Sequence, residues 1–185
     1  MAACPDGSFA ALDFYKKVWV LAAGGGEWAM RQLPTRSDLL ALTCDPRNRL
    51  WAVGARTSIL SSADKGGSWQ VRDLGDDAIL TTVQFVDEKR AVITGEFGAV
   101  LTSADGGASW QPQPKIEGDF YPYAALFTDA ANGWVSGLAG VIKRTRDGGR
   151  TWSSYSSQAF HTLDCTRDGS CWAAGSGGRV GVLAR

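Results

Sequence analysis

The stretch SADKGGSW at residues 62–69 recurs as SADGGASW at 103–110 and as TRDGGRTW at 145–152. A degraded copy, AAGGGEW, occupies residues 22–28. The tryptophans that end the four copies, Trp28, Trp69, Trp110 and Trp152, follow one another at intervals of 41, 41 and 42 residues. A period of about forty residues marks a chain built from one repeated supersecondary unit. Such a unit cannot bury its own apolar face, so successive units must stack.

The motif itself reads as a folded turn. Ser62, Ser103 and Thr145 open it, and Asp64, Asp105 and Asp147 follow two residues later. A short carboxylate in that position accepts backbone N–H groups a few residues on. Gly66, Gly107 and Gly149 supply backbone angles that a residue with a Cβ resists. Trp69, Trp110 and Trp152 then begin the next strand. A catalytic or metal-binding role for the aspartates is the competing reading, but one identical site per repeat suits a structural staple better than chemistry.

Around the motif each repeat divides into four short strands. In the second repeat they are LLALTCD, RLWAVGA, SILSSAD and SWQVRD. Alternating apolar residues with β-branched and aromatic types mark strands, and DPRN and DKGG mark turns. A second register confirms the alignment: Gly54, Gly95, Gly137 and Gly175 recur, each preceded three residues earlier by Trp51, Val92, Trp134 or Trp172. These four apolar positions are expected to pack between neighbouring sheets. Four-stranded repeats of this length form β-propeller blades. The expectation is an all-β, single-domain propeller of antiparallel blades over residues 1–185. Its five repeats span approximately 1–35, 36–76, 77–117, 118–158 and 159–185. The fifth lacks the motif turn and its outer strand, which leaves an open edge. Three outcomes stay open: a compact five-bladed ring, an arc of a larger ring, or a strand supplied from elsewhere.

Composition narrows the function. The 19 basic and 19 acidic residues cancel, and no basic run offers a nucleic-acid surface. No apolar stretch reaches the length of a membrane span, and the residues after Met1 read as strand rather than as a leader peptide. The chain has four cysteines and one histidine, which argues against a Cys/His zinc site. No cofactor is implied. Cys4, Cys44 and Cys165 each fall near the end of a first strand. Cys165 and Cys171 either close a disulfide across the turn TRDGS, in an oxidising compartment, or serve as small buried hydrophobes.

The segments WAVGARTSILSSADKGGSW, ITGEFGAVLTSADGGASW and WVSGLAGVIKRTRDGGRTW resemble the Asp-box (BNR) repeat β-propellers. Within that group they look most like the photosystem II stability/assembly factor family and its bacterial relatives. The resemblance covers nearly the whole chain and is weakest over residues 1–35. It implies an extracytoplasmic, periplasmic or secreted, non-enzymatic binding or assembly protein, with a protein or peptide partner drawn from a membrane-associated complex. Members are usually seven-bladed, more than the repeats counted here.

In a blade, the first-to-second and third-to-fourth turns share one rim. The second-to-third turns and the inter-blade links share the other. The second rim carries the varied residues: Phe14, Tyr15, Lys16 and Lys17; Arg36 and Asp38; Arg56; Glu96 and Phe97; Glu117, Asp119, Tyr121 and Tyr123; and His161. Loops on a rigid frame carry binding residues disproportionately, and Tyr, Phe and Arg are favoured contacts. Tyr15, Arg56, Glu96, Phe97, Asp119, Tyr121, Tyr123 and His161 are the candidate binding set, with one of the two tyrosines flanking Pro122 pointing inward. A sialidase-like glycosidase is the enzymatic alternative, with Glu96 and Asp119 as its carboxylates, but an early Arg-Ile-Pro signature is absent. A repeat that self-associates through its open edge is the third reading. GSGGRVG at 175–181 leads into a strand, not a helix, so it does not read as a phosphate loop.

Overall fold

The computed structural model describes residues 1–75, 77–118, 120–138, 141–158, 160–166 and 169–183. The chain forms five antiparallel sheets in sequence order. The first holds β1 (Ala2–Ala3), β2 (Phe9–Leu12), β3 (Lys17–Leu21) and β4 (Ala29–Gln32). The second holds β5 (Leu39–Cys44), β6 (Leu50–Gly54), β7 (Ser58–Ser62) and β8 (Gln70–Asp73). The third comprises β9 (Leu80–Phe85), β10 (Ala91–Gly95), β11 (Ala99–Ser103) and β12 (Gln111–Pro112). The fourth comprises β13 (Pro122–Phe127), β14 (Gly133–Gly137), β15 (Ile142–Thr145) and β16 (Ser153–Ser156). The fifth has three strands: β17 (Phe160–Cys165), β18 (Cys171–Gly175) and β19 (Arg179–Leu183). Every sheet is a simple meander, and the expected all-β propeller architecture is present. Helix is confined, among the described residues, to single 3₁₀ turns.

Strand alternation sends successive side chains to opposite faces, and each inner sheet uses both. In the second sheet, Leu50, Ala52 and Leu60 pack back against Ala10 and Val18 of the first. Trp51, Val53 and Ile59 pack forward against Leu80, Val83 and Ile93 of the third. Val92 and Val100 of the third meet Phe127 and Val135 of the fourth. Trp134 and Ile142 of the fourth meet Leu163, Cys171 and Ala173 of the fifth. All five residues of β6, β10 and β14 are therefore buried, as expected of strands covered on both faces. Each large apolar side chain so buried contributes roughly 2 kcal/mol. Trp51, Val92 and Trp134 are 3%, 6% and 0% exposed between sheets, whereas the equivalent Trp172 is 43% exposed.

The structure contains two disulfides. Cys165–Cys171 closes the β17–β18 hairpin, with Cα atoms 4.1 Å apart. Cys4–Cys44 ties the first sheet to the second across 40 residues of chain, with Cα atoms 5.1 Å apart. The second pairing was not anticipated. It becomes visible only when the inner strands of neighbouring sheets lie side by side. No helix among the described residues is long and apolar enough to cross a membrane.

Candidate functional site

The motif turns line one rim and spend their polar groups on themselves. Asp105 accepts hydrogen bonds from the Ser103 hydroxyl at 2.8 Å, the Ser109 N–H at 2.8 Å and the Ser109 hydroxyl at 2.6 Å. The Ser103 hydroxyl in turn accepts the Gly107 N–H at 2.8 Å. Asp64 and Asp147 repeat the pattern with Ser62 and Ser68, and with Thr145 and Thr151. Donors aimed at a carboxylate favour its charged form. The Ser68 backbone N–H holds Asp64 down to about 2, and the Ser109 hydroxyl does the same for Asp105. At Asp147 burial pushes upward, but the Thr151 and Thr145 hydrogen bonds outweigh it and the pKa falls to about 2.

The motif glycines also explain how sheets register. A Cβ on Gly66 would sit 3.4 Å from Arg31, and one on Gly149 would sit 3.4 Å from Val100. On Gly107 it would sit 2.2 Å from the Trp51 ring. In each case the neighbour belongs to the preceding sheet. Each motif turn is thus a close-fitting staple onto the sheet before it. Trp51 is held for this contact by its indole N–H, which donates to Asp45 at 2.9 Å, and by Phe85 and Trp110, with ring centroids 5.0 and 6.1 Å away.

The opposite rim gathers the second-to-third turns and the links. Backbone hydrogen bonds fasten them: Ala55 N–H to Asp38 C=O, Glu96 N–H to Ile79 C=O and Leu138 N–H to Tyr121 C=O. Here the candidate residues fall into separate groups. Lys16 reaches Asp38 at 3.5 Å and the Arg36 carbonyl, beside an 80%-exposed Tyr15. Arg56 and Phe97 occupy the tips of equivalent turns, both with left-handed backbone, φ 56° and 55°. Such φ values are uncommon for residues with a Cβ and cluster at functional sites.

Across the last two sheets the rim carries a continuous row. The Tyr121 and Tyr123 rings lie 5.8 Å apart, and Tyr123 meets the His161 ring edge-on at 5.5 Å. His161 Nε2 shares a 2.6 Å hydrogen bond with the Ser176 hydroxyl. Burial first, and then the charge of Glu96, raises the pKa of Tyr121. Of the two tyrosines flanking Pro122, Tyr121 is half-buried and Tyr123 is 41% exposed. Their rings are tilted by 51° to one another, and Pro122 between them is buried. Asp119 lies outside the described residues. No hydrogen bond or ring contact joins Tyr15, Arg56 or Phe97 to the row among the described residues.

Ser176 was missed, as was the 54%-exposed Leu138 on the equivalent turn of the fourth sheet. The signal was present: Leu138 and Ser176 each follow a glycine of the second register, where the chain emerges on this rim. The row lies on open surface. A groove of about 220 Å³ bounded by Arg90, Gln113, Phe127 and Arg150 lies elsewhere, between the third and fourth sheets beside a motif turn. Among the described residues no group of three or more His, Cys, Asp or Glu is placed to hold a metal ion. An exposed aromatic row flanked by a carboxylate, an imidazole and a hydroxyl is suited to stacking and hydrogen bonding with an extended chain.

Residues 21–114 and 68–158 match the family model described as photosynthesis system II assembly factor YCF48. No curated protein sequence matches the chain. Among solved structures, the chain is similar to YCF48 bound to D1 peptide, with 25% identity and a TM-score of 0.68 over 89% of this chain and 55% of that one. It is also similar to YCF48 from Cyanidioschyzon merolae, with 15% identity, a TM-score of 0.73, and 92% and 64% of the two chains covered. Virginiamycin B lyase from Staphylococcus aureus superposes with a TM-score of 0.78 at 12% identity, over 98% and 67% of the chains. The chain therefore spans little more than half the length of the first of these structures, and the low-identity likenesses carry the fold alone.

Proposed function

The chain belongs to the photosynthesis system II assembly factor YCF48 family, and we propose on that footing that it is a non-catalytic binding module. It takes an extended peptide of a protein partner on the rim opposite the motif turns. The partner belongs to a membrane-associated complex, and the module works outside the cytoplasm. The observation that carries this reading is the Tyr121–Tyr123–His161 row, exposed at Tyr123 and His161 and anchored by Ser176. Supporting it are the relative solved as a D1-peptide complex and the two disulfides, which suit an oxidising compartment. The motif aspartates, on the other rim, have their oxygens engaged within their own turns.

The test is fluorescence anisotropy with a labelled D1 peptide and a scrambled control. Tyr123→Ala and His161→Ala should each weaken binding by roughly tenfold or more, as loss of a central aromatic contact does. Substitutions on the motif rim, such as Arg150→Ala, should leave it unchanged. Equal affinity for the native and scrambled peptides, or for all variants, refutes the reading.

A further inference from the structure

Three aromatic rings close the junction between the second and third sheets. Phe85 and Trp110 meet edge to face with centroids 6.4 Å apart, and the Trp51 ring sits against both. The indole lies beneath Gly107, where a Cβ would come within 2.2 Å of it. Arg49 covers it, 5.2 Å from the ring, and Asp45 accepts its N–H. Arg49 and Arg72 then seal the mouth by donating to the Gly106 and Gly107 carbonyls of the motif turn.

One repeat later the frame is present and the third ring is not. Phe127 and Trp152 meet edge to face at 6.1 Å, as their counterparts do. Val92 stands in the place of Trp51. A Cβ on Gly149, the counterpart of Gly107, would reach only to 3.4 Å from Val100. The sealing arginine is replaced as well: Gln113 takes the position of Arg72 and turns back to the Thr102 hydroxyl at 2.9 Å. What remains is the groove of about 220 Å³, with Val86, Val92, Phe127 and Ala130 as its apolar walls. Each flanking sheet packs on a further sheet through its other face, so the groove lies inside the fan.

A dry apolar cavity of about 150 Å³ takes a benzene ring, so this groove has room for a phenyl group. It is unsuited to an indole. Val86 replaces Asp45: each follows the last residue of an inner strand, and their N–H groups bond to the Arg90 and Arg49 carbonyls respectively. An indole N–H placed against Val86 would lack its acceptor. Arg90 at the mouth is held by Asp87 at 2.6 Å. The Asp147 oxygens in the lining accept from Thr145 and Thr151. Arg150 is exposed, and no ion pair engages it among the described residues. An anionic group beside the ring therefore meets a free guanidinium.

We propose that the groove is a second binding site, on the motif rim, for a phenylalanine side chain of a protein partner that carries an acidic residue next to it. The phenyl ring completes the aromatic triad with Phe127 and Trp152, and Arg150 takes the carboxylate by charge-assisted hydrogen bonds. The site is separate from the Tyr121–Tyr123–His161 row and does not depend on the role given to that row.

NMR titration of the ¹⁵N-labelled chain with acetyl-Phe-Glu-amide tests this. Saturable shifts should appear at Thr102, Gly148 and Gly149. Acetyl-Trp-Glu-amide should bind roughly tenfold more weakly because its N–H is left unpaired, and acetyl-Ala-Glu-amide should give no saturable shift. Arg150→Ala should weaken binding of the phenylalanine probe roughly fivefold. Val92→Trp, which supplies the ring from within, should abolish it, with circular dichroism verifying that the sheets remain. Tyr123→Ala on the other rim should leave it unchanged. The proposal is overturned if the alanine probe binds as the phenylalanine probe does, if the tryptophan probe binds as tightly, or if Arg150→Ala has no effect. Shifts that map to Tyr123 and His161 instead would overturn it too.

Discussion

Replacing Gly107 with alanine tests the idea that the motif turns are staples between sheets. Two costs follow from the coordinates. The residue sits at φ +83°, and a left-handed backbone costs a residue with a Cβ about 1–2 kcal/mol. The new methyl would also lie 2.2 Å from the Trp51 ring. Trp51 is wedged by Phe85, Trp110 and its Asp45 hydrogen bond, so it has little room to yield. Overpacking of this kind costs a further 1–3 kcal/mol, roughly. Gly149→Ala is the internal control. Its φ is +94°, but its methyl would make only a 3.4 Å contact with Val100. Gly107→Ala should lose about 2–5 kcal/mol and Gly149→Ala about 1–2 kcal/mol. Thermal melts followed by circular dichroism should separate the two by several degrees, at about 2–4 °C per kcal/mol for a domain of this size. Equal losses would mean that the turn does not press on the preceding sheet, and the staple argument would fail.

Acid should unfold the protein in a defined window. Asp64, Asp105 and Asp147 have folded pKa values of about 2, below the unfolded carboxylate value, so their contribution is complete above about pH 4 and is lost as pH falls through about 2. A pH titration by tryptophan fluorescence should show that loss, and Asp105→Asn should flatten it. Cys4→Ser with Cys44→Ser should cost about 4 kcal/mol by loop entropy, against about 2 for the Cys165–Cys171 pair, because the closed loops differ in length, 40 residues of separation against 6. Denaturant melts of the two double variants compare them directly. Phe97→Gly should stabilise the fold by about 1 kcal/mol by relieving the left-handed backbone. It should weaken peptide binding if that turn touches the partner.

The repeat of Asp, Gly and Trp at about forty residues determined the architecture by itself. It reports short-range physics: a carboxylate closing its own turn, a glycine at positive φ, and alternation placing Trp51, Val92 and Trp134 on one face. All of that is written within ten residues of chain. The rim on which Arg56, Phe97, Tyr121 and His161 would emerge was legible for the same reason, since turns of a meander alternate between rims. Tertiary structure decided what depends on approach between distant segments. The Cys4–Cys44 bond, the seat of Gly107 on Trp51, and the edge contact of Tyr123 with His161 all join residues whose proximity is set by how sheets fan about an axis. Whether the fan closes is also a sum over every inter-sheet angle, which no local pattern encodes. Only the assembled sheets revealed that Trp172, identical in register to two buried tryptophans, faces outward.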